Sequence, residues 1–210
     1  MSKNLNIKFI YLSSKVNGGF YMKEVEALIN RALKYKESGL TEHEIAEELN
    51  VSNETASWLL SKGKDKKPTG DVKVGWRSVG VYPARIGFIS DALCDIILED
   101  CEDVEAIVGI AINGIPYATF IAETLGLELT VFRPHHEKTG AFSSNYASVK
   151  DKKVVLVDDV VGTGDTFRQA IKATETEKGK VVLCLAVVNK TSRNKVENVP
   201  LRALIRARAI

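Results

Sequence analysis

Apolar residues recur at helical spacing from Lys23 onward. Val25, Leu28, Ile29, Ala32 and Leu33 mark one face of an amphipathic helix that runs to about Lys36 and is stopped by Gly39. A second periodic segment carries Ile45, Ala46 and Leu49 inward and breaks at Asn50-Val51. A third places Ala56, Leu59 and Leu60 on its inner face. From Lys62 to Asp71 the pattern lapses into Lys, Gly, Asp and Pro, which predicts a linker. Beyond it, Pro83 to Glu99 is helical, Ala106 to Ile112 is a continuous apolar run, and Tyr117 to Leu125 is helical again. A short strand is expected at Leu129 to Phe132, then a long polar stretch to Lys152, a strand at Val154 to Val157, a helix at Thr166 to Thr176 and a strand at Val181 to Val188. Apolar strands alternating with helices predict an α/β fold with a parallel sheet covered on both faces. The chain thus divides into a small all-α domain over residues 22–67 and an α/β domain over residues 68–210.

The first 21 residues are weakly periodic and end in Asn17-Gly18-Gly19 before Met22. Two Gly codons can spell a purine-rich ribosome-binding sequence, so translation is expected to start at Met22, with residues 1–21 a non-native or disordered extension.

A length of 210 residues allows one substantial core and a small second domain. With 45% apolar and 27% charged residues and a formal net charge of +2, the composition is that of an ordinary soluble protein, and any nucleic-acid contact must be local. Cys94, Cys101 and Cys184 lack the paired spacing of a zinc site or a disulfide framework, which predicts reduced thiols and a cytoplasmic setting. No apolar run approaches the roughly 18 residues needed to span a bilayer, and Asn6 to Leu12 is too short for a secretory signal.

Thr41 and Glu44 have the spacing of a capping box, and Ser52 is an N-cap, so two short helices meet at a tight turn. Ala46 lets them pack closely and Val51 fills the turn. The segment Thr41 to Lys62 resembles the helix-turn-helix of many prokaryotic repressors. That resemblance implies that Ser52, Asn53, Glu54, Thr55 and Ser57 face base edges or phosphates, with Lys62, Lys64, Lys66 and Lys67 within reach of phosphates. The alternative is a helical hairpin for dimerisation or protein contacts. Its support is the acidic run Glu42, Glu44, Glu47, Glu48 and Glu54, a poor phosphate binder.

The most specific segment is Val154 to Thr166, VVLVDDVVGTGDT. A buried parallel strand delivers Asp158 and Asp159 to its carboxyl end, where open α/β sheets place ligands. Gly162, Thr163, Gly164, Asp165 and Thr166 follow at the start of a helix, so backbone N–H groups and the two threonine hydroxyls can surround a phosphate. The carboxylates suit the vicinal hydroxyls of a ribose, directly or through Mg2+ that keeps some of its waters. Together these predict a ribose 5-phosphate ligand, against the plain alternative of an ordinary strand-turn-helix. The segment resembles the phosphoribosyl-diphosphate signature of type I phosphoribosyltransferases. By that resemblance Asp158 and Asp159 hold the ribose hydroxyls and Gly162 to Thr166 hold the 5-phosphate.

A second turn, Ala111, Ile112, Asn113 and Gly114, ends another buried strand and opens a helix, a second anion-binding arrangement. It resembles the diphosphate loop of orotate phosphoribosyltransferases, with Gly-Ile-Pro kept at Gly114 to Pro116 but Asn113 where that family has lysine. The family's mobile catalytic loop corresponds to Arg133 through Gly140. There Arg133 survives, while Pro134, Glu137 and Thr139 stand where the enzymes have lysine, lysine and histidine. Transfer at the anomeric carbon needs cations for the departing diphosphate, so catalysis is not expected. His135 and His136 read as loop residues rather than metal ligands. Trp76 to Arg85 lacks the orotate enzymes' base-recognition pattern.

As a whole the chain resembles the archaeal orotate phosphoribosyltransferase-like regulators. This implies a type I phosphoribosyltransferase-like domain joined to an N-terminal helix-turn-helix. It further implies transcriptional control of central sugar catabolism genes, as activator or repressor. The mechanism expected is operator binding on promoter DNA by a homodimer, since symmetric half-sites match a two-fold protein, coupled to the sensing of phosphoribosyl diphosphate or a nucleotide. The alternative is an active orotate or purine phosphoribosyltransferase with an accessory N-terminal domain.

Overall fold

The computed structural model describes residues 17–62, 71–135 and 139–208. The chain divides into two compact units, Met1–Pro68 and Thr69–Ile210.

The first unit is three helices, α1 (Asn17–Glu37), α2 (Glu42–Leu49) and α3 (Asn53–Leu60). The backbone of α1 begins at Asn17, upstream of the periodicity that starts at Lys23, while residues 1–16 of the expected extension lie outside the described residues. The caps form as their residues dictate. Glu44 accepts the Thr41 N–H through Oε2 at 2.7 Å, and Thr41 Oγ1 accepts the Glu44 N–H at 3.3 Å. Asn50 turns the chain in the left-handed region at φ 53°, and Ser52 Oγ accepts the Thr55 N–H at 3.1 Å to start α3. Ala32, Ile45, Ala46, Leu49, Ala56 and Leu59 are buried together as a separate core. The small Ala46 and Ala56 permit the close approach, and each buried Leu or Ile contributes about 2 kcal/mol.

The second unit runs α4 (Arg77–Gly80), α5 (Pro83–Asp100), β1 (Ala106–Ile110), α6 (Gly114–Leu125), β2 (Glu128–Arg133), β3 (Ala141–Phe142), β4 (Lys153–Val161), α7 (Asp165–Thr176), β5 (Lys180–Asn189), β6 (Lys195–Val196) and β7 (Val199–Arg206). The sheet order is β3-β2-β1-β4-β5-β7-β6. β2, β1, β4, β5 and β7 are parallel, whereas β3 and β6 pair antiparallel at the two edges. The expected parallel sheet is therefore the centre of a mixed one. Both edge strands are two residues long, too short for any alternation to announce them.

Strand alternation splits the core into two layers. Val154 and Leu156 face a cluster with Phe132, Phe167, Ala170 and Ile171, under α7. Val155 and Val157 face one with Leu93, Ile97, Tyr117, Ala118 and Ile121, under α5 and α6. Because β1, β2, β4 and β5 run in one direction, the residues following Ile110, Arg133, Asp158 and Asn189 collect along a single edge of the sheet. Of the boundaries that differ from the sequence expectation, three bear on the site. β1 ends at Ile110, so Ile112 lies in a turn; α6 starts at Gly114 rather than Tyr117; and β4 continues to Val161, pairing with β5 through Asn189.

Candidate functional site

At the end of β4 the two carboxylates differ in setting. Asp159 is 6% exposed, and its Oδ1 accepts the Val160 N–H at 2.7 Å. Burial pushes its carboxyl above the usual range, opposed by hydrogen bonds from Val160 N–H, Asp158 and the Asn113 side chain. Asp158 is half-buried, and its Oδ1 accepts the Asp159 N–H at 2.9 Å.

The loop that follows meets the amino terminus of α7. Gly164 is the N-cap of α7 with φ +83°, a conformation that costs glycine little and a β-branched residue much. Gly162 is exposed, and a Cβ there would meet nothing within 4 Å, so the loop borders open space. Thr163 Oγ1 donates to Asp165 Oδ2 at 2.5 Å and accepts the Asp165 N–H at 3.2 Å. Arg168 pairs with the Asp165 carboxylate one helical turn on. The Thr163 hydroxyl, then Arg168 and the charge of Arg193, hold the Asp165 carboxyl below its usual range. Thr166 is half-buried in the first turn of α7. Arg168 and Arg193, both absent from the sequence expectation, each direct Nη1 at the Thr163 carbonyl, at 3.5 and 3.3 Å. The i,i+3 spacing to Asp165 marks Arg168; nothing local marks Arg193.

The turn after β1 is built differently. Ala111 N–H donates to Phe132 O at 2.8 Å, which ties it to β2, and Ile112 is 76% exposed. Gly114 is the point of closest approach to β4. A Cβ there would stand 2.3 Å from Val157 O. Asn113, at the mouth of α6, hydrogen-bonds Asp159 across the edge of the sheet. Behind it Tyr117 is buried, and that burial together with the Asp159 charge pushes its phenol up to about 12. Trp76 stacks edge-on to Tyr117 at 6.2 Å between centroids, and its indole Nε1 is buried with no acceptor among the described residues.

Arg133 closes β2 in register with Ala141 and is exposed. His135 N–H donates to Gln169 Oε1 on α7 at 3.2 Å. His136, Glu137 and Lys138 lie outside the described residues. Among the described residues no group of three His, Cys, Asp or Glu side chains is placed to hold a metal ion. Lys190 follows β5: its N–H donates to Val161 O at 2.9 Å, and its ammonium pairs with Asp71 at 2.6 Å. This pair, 12% and 13% exposed, fastens the start of the second unit to the strand end.

In the first unit, Asn53, Glu54 and Ser57 are on the exposed side of α3, and Lys62 is exposed just beyond it. Ser52 and Thr55 are half-buried and bound to one another at 3.0 Å within the cap. Asn53 Oδ1 lies 3.2 Å from His43 Nδ1, while His43 Nε2 lies 3.3 Å from Glu47, so α2 steadies the first residue of α3. Lys64, Lys66 and Lys67 lie outside the described residues. Among the described residues no helix is long and apolar enough to cross a membrane.

Residues 83–203 match the phosphoribosyl transferase domain. Solved structures share the fold. The orotate phosphoribosyltransferase of Aeropyrum pernix superimposes with a TM-score of 0.55 at 21% identity, over 70% of this chain and 83% of that one. The adenine phosphoribosyltransferase of Thermoanaerobacter pseudethanolicus does so with 0.57 at 19%, over 69% and 92%. Relatives that match along nearly their whole length are nearer in sequence. The transcriptional regulator GfcR of Thermoplasma acidophilum is 48% identical over 195 residues, covering 90% of this chain and 98% of the relative. Those of Picrophilus torridus and Archaeoglobus fulgidus are 43% and 40% identical, each covering 88% of this chain and 98% of the relative. Carrying a phosphoribosyl transferase domain and this extended likeness, the chain belongs to the family of archaeal transcriptional regulators GfcR.

Proposed function

We propose that this chain is a DNA-binding transcriptional regulator, a cytoplasmic homodimer whose phosphoribosyltransferase-like domain senses phosphoribosyl diphosphate or a nucleotide and controls genes of central sugar catabolism. The observation that carries the reading is the contrast at the sheet edge. The loop after β4 has an open border at Gly162 and two threonines, and Arg168 of α7 and Arg193 from the loop after β5 both reach its Thr163 carbonyl. The turn after β1 has exposed Ile112 and the neutral Asn113, whose side chain is engaged with Asp159.

In this reading the backbone of Gly162, Thr163, Gly164, Asp165 and Thr166 binds the ligand phosphate at the start of α7. Asp158 takes the ribose hydroxyls from its half-buried position, and Asp159 does so from deeper in the site. Their oxygen donors suit Mg2+ brought in on a diphosphate, an ion that keeps much of its water shell. Ala111, Ile112, Asn113, Gly114 and Arg133 border the far end of the ligand. With no lysine in the turn after β1, a departing diphosphate gains little stabilisation, so the site binds and does not transfer. On the DNA side, Asn53, Glu54 and Ser57 reach base edges, Ser52 and Thr55 hold the cap that aims them, and Lys62, Lys64, Lys66 and Lys67 contact phosphates. A two-fold homodimer matches symmetric half-sites.

The test is a promoter-fragment titration with and without saturating phosphoribosyl diphosphate, alongside a diphosphate-release assay with orotate and the common purines. A change in operator affinity of about 5- to 150-fold, with no turnover, is expected. Equal operator affinity removes phosphoribosyl diphosphate as effector, and steady diphosphate release favours a phosphoribosyltransferase instead.

A further inference from the structure

β5 ends in an asparagine that is entirely buried, an uncommon place for an amide unless every polar atom is used. Asn189 uses its own on the loop it begins. Its Oδ1 accepts the Thr191 N–H at 2.7 Å, its Nδ2 donates to Arg193 O at 3.1 Å, and its carbonyl accepts the Ala207 N–H at 3.0 Å. The Arg193 N–H then donates to Thr191 Oγ1 at 3.0 Å, and Lys190 N–H stitches the start of the loop to Val161 at the end of β4. The backbone of Arg193 is therefore held at both its N–H and its carbonyl, beside the strand that carries the phosphate loop. From this root its side chain reaches Thr163, with Nη1 3.3 Å from the carbonyl.

We propose that Arg193 is a ligand-binding residue: held by the buried Asn189, it stands over the Gly162–Thr166 loop and supplies the cation that meets the ligand's phosphate. The proposal rests on the reading of that loop as the phosphate seat. Chemistry separates the two arginines at Thr163. Arg168 is paired with the Asp165 carboxylate on its own helix, so much of its charge is already answered. The contact that Arg193 makes on the loop is to a carbonyl, which engages one of its five N–H groups; its charge is felt by the Asp165 carboxylate, but Arg168 and not Arg193 forms the ion pair with it. The open border at Gly162 leaves space for an anion beside the loop. A phosphate there would receive charge-assisted hydrogen bonds from a group the chain has already oriented.

The competing explanation is that Arg193 merely staples its loop to Thr163. Ribose 5-phosphate and phosphoribosyl diphosphate serve as probes in calorimetric titrations of the full-length wild type, Arg193→Ala and Arg193→Gln, each also melted without ligand. Glutamine keeps a neutral donor for the Thr163 carbonyl and removes the charge. About a tenfold weaker affinity for ribose 5-phosphate is expected in both variants, with Arg193→Gln melting like the wild type and Arg193→Lys recovering part of the loss. Wild-type affinity in Arg193→Gln overturns the proposal while leaving the phosphate seat intact. A wild type that binds neither probe overturns the seat itself, and this assignment with it.

Discussion

The turns that leave β1 and β4 invite comparison, because the two strands are parallel neighbours and each turn opens a helix on its own face of the sheet. Geometry alone would make both of them anion sites. They part in side-chain chemistry and in room. Beyond β4 the loop borders open space, carries hydroxyls and is met by the guanidinium groups of Arg168 and Arg193. Beyond β1 the turn is jammed against β4 at Gly114, shows solvent an isoleucine, and spends its one amide on a buried carboxylate. A helix terminus is thus a scaffold for binding, and what is placed around it decides whether it binds.

The largest effect expected from that difference is on stability. A methyl group at Gly114 would sit 2.3 Å from a backbone carbonyl that has no room to withdraw, whereas one at Gly162 would meet nothing within 4 Å. Gly114→Ala is expected to cost about 3 kcal/mol, at the upper end of overpacking costs. Gly162→Ala is expected to leave denaturant stability unchanged or raise it by about 0.5 kcal/mol, while weakening ribose 5-phosphate binding. Equal losses of stability in urea titrations would mean that the two turns are packed alike, and the comparison would fail.

A smaller effect tests the missing cation. Asn113→Lys places an ammonium at the mouth of α6, beside Asp159. It is expected to strengthen phosphoribosyl diphosphate binding by about fivefold relative to ribose 5-phosphate, roughly 1 kcal/mol for a partly solvated charge pair. The same titration run on both ligands isolates the effect, because the 5-phosphate seat is common to them. If both ligands gain equally, the turn after β1 does not face a diphosphate.

Much of this was legible in the sequence wherever the signal is local. The caps at Thr41 and Ser52 and the unbroken apolar run into Asp158 predict the elements that carry them, because each depends on residues within one turn or one strand. β7 was missed because Val199–Arg206 includes Pro200 and two arginines and faces solvent along much of its length, so it lacks both alternation and an apolar run. The helical pattern of α6 is legible only from Tyr117, although the turn before it is expected to open a helix, proline suits a first helical turn, and Gly114 is required by the closeness of β4. Arg193 on Thr163, Asn113 on Asp159 and Lys190 on Asp71 join residues far apart along the chain. Periodicity carries no information about such contacts, and they are the ones that distinguish one turn from the other.

The smallest effect is a difference of sign between two carboxylates of the same segment. Burial raises the Asp159 carboxyl, so the folded state favours its protonated form. That contribution is fully present below the ordinary carboxylate pKa and is lost as pH rises through the raised folded value. Asp165 is lowered, chiefly by the Thr163 hydroxyl and then by Arg168. Its contribution is present above the ordinary value and is lost as pH falls through the depressed one. Asp159→Asn should therefore melt progressively higher than the wild type as pH rises from about 3 to about 7, and Asp165→Asn progressively lower. The second change is the weaker, since the Asp165 side chain is 62% exposed and solvent screens its partners. Melting curves across that range check both at once. Differences that run in the same direction with pH would show that the deep carboxylate facing the β1 turn and the exposed one in the phosphate loop share an environment, which the two turns as built do not allow.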